Sequence, residues 1–240
     1  FVAGSSWQPD EEIFLKYFNN HRDWKLIVAP HVIGEDHLKF IFSLIKDKKV
    51  VRYTQATEDN VADADVLIID CFGLLSSVYH YGDVAYVGGG FGVGIHNVLE
   101  AAVWGMPVLF GPNNKHFAEA QGLLQSGGGI EIEDYETFSL IMSQLSDDSA
   151  YYDTCGQEAG AFVQSLAGAT KKGSTIECEC PHCHSTMEVT LPLVSEGQQY
   201  TPQAEGIPDP PQKKDGDHNT ILWGIVIGLL LLAIGIGAYV

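Results

Sequence analysis

Positive charge is scarce in this 240-residue chain: 13 lysines and arginines face 31 aspartates and glutamates, for a formal net charge of −18 and a pI near 4.6. A nucleic-acid surface needs a basic footprint, and so does broad adhesion to anionic lipid; the composition argues against both. Cysteine is sparse too. Five are present, with Cys71 and Cys155 isolated and Cys178, Cys180 and Cys183 clustered. That odd, uneven set is no disulfide framework and suits a reducing compartment. No signal peptide is visible and the first residue is Phe1 rather than Met, which reads as a piece lacking its N-terminal part. No P-loop Gly-Lys-Ser/Thr occurs, and no GxGxxG turn follows a first strand. Hydrophobic residues, by contrast, make up 45% of the chain, enough for a real core.

Through about residue 166, short apolar runs alternate with stretches of helical spacing. Residues 1–4, 24–29, 50–53, 65–70, 83–87, 106–110 and 129–132 read as strands, the second of them stopped by Pro30. A helix opens at Asp10-Glu11-Glu12 beside Pro9, where acids complement the positive end of the dipole, and places Ile13, Phe14, Tyr17 and Phe18 at helical spacing. Further helices are predicted over 34–46, 73–81, 95–104, 115–125, 135–145 and 149–166. The alternation predicts an α/β, Rossmann-like parallel sheet with helices on both faces. Ligands of such sheets bind beyond the carboxyl ends of the strands. Four segments fall there: Gly4-Ser5-Ser6, Pro30-His31, residues 70–73 and residues 88–94.

Residues 86–112, YVGGGFGVGIHNVLEAAVWGMPVLFGP, read as strand, glycine-rich turn, helix and strand, a βαβ unit. Glycine allows φ > 0 and close approach of a ligand. A helix start after the turn favours an anion, and His96, Asn97 and Glu100 ride on its first turn, with Asn97 and Glu100 on one face. A plain tight turn with solvated polar residues is the other reading of the same pattern.

The block as a whole resembles the donor-nucleotide half of a GT-B glycosyltransferase, most closely 3-deoxy-D-manno-octulosonic acid (Kdo) transferase. Gly89-Gly90, His96-Asn97, Leu99-Glu100-Ala101-Ala102, Gly105-Met106-Pro107-Val108 and Gly111-Pro112 carry the likeness. Ala3-Gly4-Ser5-Ser6-Trp7 is similar to the family's entry to its C-terminal domain. Asp70-Cys71-Phe72-Gly73-Leu74-Leu75 resembles its Asp-x-x-Gly-x-Leu turn. Gly168-Ala169-Thr170-Lys171-Lys172 is similar to its terminal helix entry. Ala29-Pro30-His31 resembles a Bacteroidetes-type variant; many members carry Pro-Arg-His, so an arginine expected near the nucleotide is absent. His31 substitutes only in part, being cationic near or below about pH 6.5.

The resemblance covers residues 1–172. It implies a donor-nucleotide site at Ser5, Ser6, His31, Gly73, Gly89, Gly90, His96, Asn97 and Glu100. Glu100, acceptor-only when ionised, takes the ribose hydroxyls. The implied donor is CMP-Kdo, the acceptor a lipid A precursor, and the pathway lipopolysaccharide synthesis, with no cofactor for transfer. The family's catalytic carboxylate lies in its N-terminal domain, so no catalytic residue is assigned and this chain alone is expected to be inactive. Two alternatives stand beside it: a tail-anchored zinc-binding or interaction protein with a relic α/β body, and another GT-B enzyme using a UDP-sugar. Some residues also have plainer readings. Ser5 and Ser6 cap a turn, and His31 is a loop histidine. His37, His80 and His116 lie on the surface or at helix ends. Cys71 is a small buried hydrophobe and Trp104 belongs to the core.

The alternation stops after Lys172. Residues 173–192 hold Cys178, Cys180, Cys183 and His184, the last three around a CxxC knuckle. Four such ligands suit structural zinc within one chain or shared between two; an inert or redox thiol cluster is the alternative. Residues 193–219, rich in Pro, Gly, Gln and Asp, read as a disordered linker, and residues 220–240 as a transmembrane helix, about 20 uncharged positions long. Lys213-Lys214 upstream puts the body on the cytoplasmic face of the bacterial inner membrane.

Overall fold

A computed structural model describes residues 1–92, 94–167, 175–179 and 186–190. Seven strands form one sheet: β1 (Val2–Ser6), β2 (Leu26–Pro30), β3 (Val50–Arg52), β4 (Val66–Ile68), β5 (Ala85–Val87), β6 (Val108–Phe110) and β7 (Gly129–Glu131). Their order is β3-β4-β2-β1-β5-β6-β7, and every adjacent pair runs parallel. The order reverses between β1 and β5, the switch point where such sheets open a crevice at their carboxyl ends.

Helices cover both faces because the strands are apolar on both. Ala3, Val28, Ile68, Tyr86 and Leu109 point into one layer, against Phe14 and Phe18 of α1 (Gln8–Phe18), Leu38 and Ile41 of α2 (Glu35–Leu44), and Phe138 and Met142 of α7 (Tyr135–Asp147). Val2, Ile27, Leu67, Ala85 and Val108 point into the other. They meet Val78 of α4 (Leu75–Val78), Ala101 of α5 (Leu99–Ala102), Leu123 of α6 (Ala118–Ser126) and Ala159 of α8 (Ser149–Ala167). The short α3 (Glu58–Val61) is capped by Thr57, whose hydroxyl accepts the Asn60 N–H at 3.4 Å.

Two boundaries differ from expectation. β2 ends at Pro30 as its last residue rather than one residue before it, with Pro30 paired to Ser6 beyond a shift of register between Gly4 and Ser6; at a strand end its missing N–H costs little. The helix expected over 95–104 shrinks to the four residues of α5. Gly94 has φ 111, outside helical space, and the His96 N–H is tied back to the Gly88 carbonyl at 3.2 Å. The helix starts only where the Asn97 side-chain oxygen accepts the Leu99 N–H at 3.0 Å, a local turn that suits Asn.

Residues 175–179 (β8) and 186–190 (β9) pair antiparallel, Thr175 opposite Thr190, in a unit separate from the seven-stranded sheet. Cys178 lies in β8. Cys180, Cys183 and His184, the expected linker, the expected membrane span and the segment 168–172 lie outside the described residues. Among the described residues no helix is long and apolar enough to cross a membrane, and no group of His, Cys, Asp and Glu is placed to hold a metal ion.

Candidate functional site

The carboxyl ends of β1, β2, β5 and β6 are laced together by backbone. The Gly88 N–H donates to the Gly4 carbonyl at 2.9 Å, the His31 N–H to Ser6 at 2.9 Å, and the Asn113 N–H to Gly90 at 2.8 Å. Gly90 and Gly111 touch so closely that a Cβ on Gly90 would lie 2.6 Å from the Gly111 backbone. Ser5, at the end of β1, holds φ 52, a left-handed conformation that costs a non-glycine residue about 1 kcal/mol or more.

Beneath the glycine-rich turn sits Asp10, 1% exposed. Its carboxylate accepts the Gly89 N–H at 2.9 Å, the Trp7 N–H at 2.8 Å and the Tyr86 hydroxyl at 2.8 Å. Burial pushes the Asp10 carboxyl above the ordinary carboxylate range, against the pull of these donors. Glu11 is fully buried beside it, receiving the Ser6 hydroxyl at 2.9 Å and the His37 ring at 2.9 Å; burial raises its pKa as well. Two expectations change here. The Ser6 hydroxyl is buried and committed to Glu11, so it is not at hand for a ligand. His37 is no surface histidine: it pairs with a carboxylate 26 residues away.

The turn is also less open than a phosphate cradle. The Gly89 N–H is taken by Asp10, those of Gly92 and Gly94 by the Gly89 carbonyl at 3.0 Å each, and that of His96 by Gly88. With α5 only four residues long and starting at Leu99, His96 and Asn97 precede the helix and do not ride on its first turn. The anion-holding helix start is therefore not formed as expected.

What the rim does present is a stack of rings. Trp7 lies on His31 at 4.5 Å between centroids, and His31 on His96 at 4.6 Å. The Trp7 Nε1–H points at His96 Nε2, 3.4 Å away. Three loops that are far apart in sequence thus bring two imidazoles together at the switch point. Burial, and then the neighbouring His31, lower the His96 pKa; Asp10 and Glu100 pull the other way.

Beyond the stack lies Glu100. Its Oε1 accepts Asn97 Nδ2–H at 3.2 Å and its Oε2 the Ser76 hydroxyl at 2.9 Å. Asn97 is exposed and Glu100 half-buried. Trp104, expected in the core, is 41% exposed and donates Nε1–H to the Ser76 carbonyl at 3.0 Å.

Gly73 takes φ +90 in the turn after β4, as its place there requires. Asp70 of that turn is held by the segment that follows β3. It accepts the Thr54 N–H at 2.9 Å, the Thr54 hydroxyl at 2.6 Å and Arg52 Nε–H at 2.8 Å. Burial pushes it up, but these donors outweigh burial and hold it below the usual range. Arg52 in turn reaches Glu35 at 2.8 Å, so its guanidinium is engaged by two acids. Cys71 is only half-buried.

Of the nine expected donor-site residues, Ser5, His31, Gly89, Gly90, His96, Asn97 and Glu100 surround the β1–β5 crevice and the start of α5. The sequence pattern gives no site role to Trp7, Asp10, Glu11 or Ser76: Trp7 belongs to the family-like motif without a role in it, and Asp10 and Glu11 fit equally well as acids that complement the helix dipole. No local pattern marks Ser76.

No family model matches the chain. A 3-deoxy-D-manno-octulosonic acid transferase of Aquifex aeolicus is 32% identical over 150 residues, 60% of this chain and 41% of that protein. The body of this chain is homologous to the Kdo transferases. A second such transferase, from Rickettsia prowazekii, is 30% identical over 170 residues, 68% of this chain and 37% of its own length. A bifunctional glycosyltransferase/methyltransferase of Fusobacterium nucleatum is 31% identical over 154 residues, 62% of this chain and 24% of that protein. The chain thus spans less than half the length of these relatives. Among solved structures, the C-terminal CMP-Kdo binding domain of WaaA from Acinetobacter baumannii superposes with a TM-score of 0.58 at 21% identity, over 68% of this chain and 88% of that domain. The body of this chain therefore shares the fold of that domain.

Proposed function

We propose that this body binds CMP-Kdo at the β1–β5 crevice and serves the transfer of Kdo to a lipid A precursor in lipopolysaccharide synthesis. The observation that carries the proposal is Glu100. On a body homologous to Kdo transferases, it stands at the rim with one donor on each oxygen and lone pairs left over for a ribose diol. In this reading the His31–His96 pair meets the phosphate that leaves as CMP when an acceptor hydroxyl attacks the anomeric carbon of Kdo. A developing anion of that kind needs preorganised donors, and two imidazoles stacked at 4.6 Å supply them where the family arginine is missing.

Calorimetric titration of the full chain with CMP and UMP tests the reading. CMP is expected to bind more tightly than UMP, and Glu100→Ala to weaken CMP by about 1.5–3 kcal/mol, the size of a charge-assisted bond. Preference for UMP would favour a UDP-sugar donor instead. Action at the cytoplasmic face of the inner membrane, with residues 220–240 as anchor, belongs to the same proposal. Its test is carbonate extraction of membranes carrying the full chain; release of the chain by carbonate would reject the anchor.

A further inference from the structure

We infer that Ser76 is a positioning residue that makes this site demand a ribose. The inference rests on the proposed donor site and names what sets its sugar specificity.

Ser76 is the second residue of α4, exposed at the surface, and its side chain meets Glu100. Its hydroxyl donates to Oε2 at 2.9 Å, while Asn97 Nδ2–H holds Oε1 at 3.2 Å. Both donors are themselves held. Asn97 is fixed by accepting the Leu99 N–H at 3.0 Å. The Ser76 backbone is fixed by Trp104 Nε1–H on its carbonyl at 3.0 Å, and the Trp104 ring is backed by His80 at 4.5 Å. Trp104, 41% exposed, thus spends its one donor on the backbone of the residue that holds Glu100.

The terminal torsion of a glutamate is broad, so an unheld carboxylate turns freely. Gripped at both oxygens, the Glu100 carboxylate keeps one orientation and offers one remaining acceptor edge. A ribose presents two adjacent O–H donors to such an edge, and a 2′-deoxyribose presents one. The locked carboxylate then leaves an acceptor without its donor, which costs the deoxy ligand affinity. Without the Ser76 hydroxyl the carboxylate can rotate to serve a single O–H and water together, and the distinction fades.

The experiment is calorimetric titration of the full chain, as wild type, Ser76→Ala and Ser76→Thr, with CMP and with 2′-deoxy-CMP. Thermal unfolding of each variant is recorded alongside. Wild type is expected to prefer CMP by about tenfold. Ser76→Ala should reduce the preference to about twofold with little change in unfolding temperature, and Ser76→Thr, which keeps the hydroxyl, should restore it. The ratio between two ligands is a readout that general loosening of the fold does not move. An undiminished ratio in Ser76→Ala overturns the role of Ser76 and leaves the donor site standing. Equal binding of both nucleotides by wild type removes the ribose role of Glu100, and with it this inference. Failure to bind either nucleotide overturns the donor-site reading itself.

Discussion

Two helix starts flank the middle of the sheet, and both carry acids. At α1, directly after β1, Asp10 and Glu11 are 1% and 0% exposed and spend their oxygens on the protein's own donors. At α5, after β5, Glu100 is half-buried and held by only one donor on each oxygen. The first start is eleven residues of regular helix behind a proline in its first turn; the second is four residues, delayed by Gly94 and by the tether on His96. The same residue chemistry thus does opposite things. Burial with three donors makes an acid part of the scaffold, while an acid with one donor on each oxygen keeps lone pairs that the proposed ligand would use.

The largest effect is expected at Asp10. Asp10→Ala leaves the Gly89 N–H, the Trp7 N–H and the Tyr86 hydroxyl without their acceptor in a buried place. Each unsatisfied group costs about 1–3 kcal/mol, so a loss of about 3 kcal/mol or more is expected in urea unfolding. Nucleotide affinity should fall with it, since Gly89 and Trp7 both border the crevice. A loss under 1 kcal/mol would show that the turn holds itself.

Glu100→Ala should give the reverse pattern. Its effect on stability is expected within about 0.5 kcal/mol, as for a surface site, and its effect on CMP affinity at about 1.5–3 kcal/mol. The contrast between the two variants, one read in the fold and one in the ligand, separates scaffold acid from site acid better than either measurement alone.

The parallel sheet with helices on both faces was within reach of the sequence because strand-like apolar runs alternate with amphipathic helical stretches, a pattern that a covered parallel sheet satisfies; the order of the strands was not. What lay beyond it are contacts between residues far apart in the chain. Asp10 meets Gly89 across 79 positions and His37 meets Glu11 across 26. Neither leaves a periodicity to read. Helical spacing over 95–104 was real, but it could not register that Gly94 takes φ 111 or that the His96 N–H bonds backward. Trp104 fits an apolar pattern equally well in the core or at the rim, and only the Ser76 carbonyl decides. The site was legible as a set of loops; how they interlock, with Ser6 withdrawn to Glu11 and the Gly89 amide taken by Asp10, was not.

A smaller effect sharpens the comparison through pH. Because burial raises the Asp10 carboxyl in the folded state, the folded chain binds its proton more tightly than the unfolded one. Asp10 therefore contributes stability below the ordinary aspartate range near about 3.9, and loses it as pH rises through the raised value. Asp70, held low by Thr54 and Arg52, contributes with the opposite sign, its stability lost as pH falls through the depressed value. Subtracting the urea midpoints of Asp10→Asn from those of wild type between about pH 4 and 7 cancels Asp70 and isolates Asp10. The difference should fall as pH rises; a difference that grows would mean the three donors outweigh burial.

The smallest expected effect concerns the His96 imidazole on the α5 side. Its pKa in the free protein is lowered by burial and by His31, so at neutral pH the ring is uncharged. A bound phosphate favours the imidazolium and raises that pKa, so CMP affinity should increase as pH drops below neutral and level off once the free ring is protonated too. The ligand complicates the reading, since a phosphate monoester sheds its second charge near about pH 6 and its own titration weakens binding in the same range. Comparing wild type with His96→Gln removes that common term. The ratio of their affinities is expected to rise by less than about threefold from pH 7.5 to 6, since a single partly exposed charge pair is worth no more than about 0.5–1 kcal/mol. A flat ratio would take His96 off the phosphate and leave it as the ring that His31 stacks on.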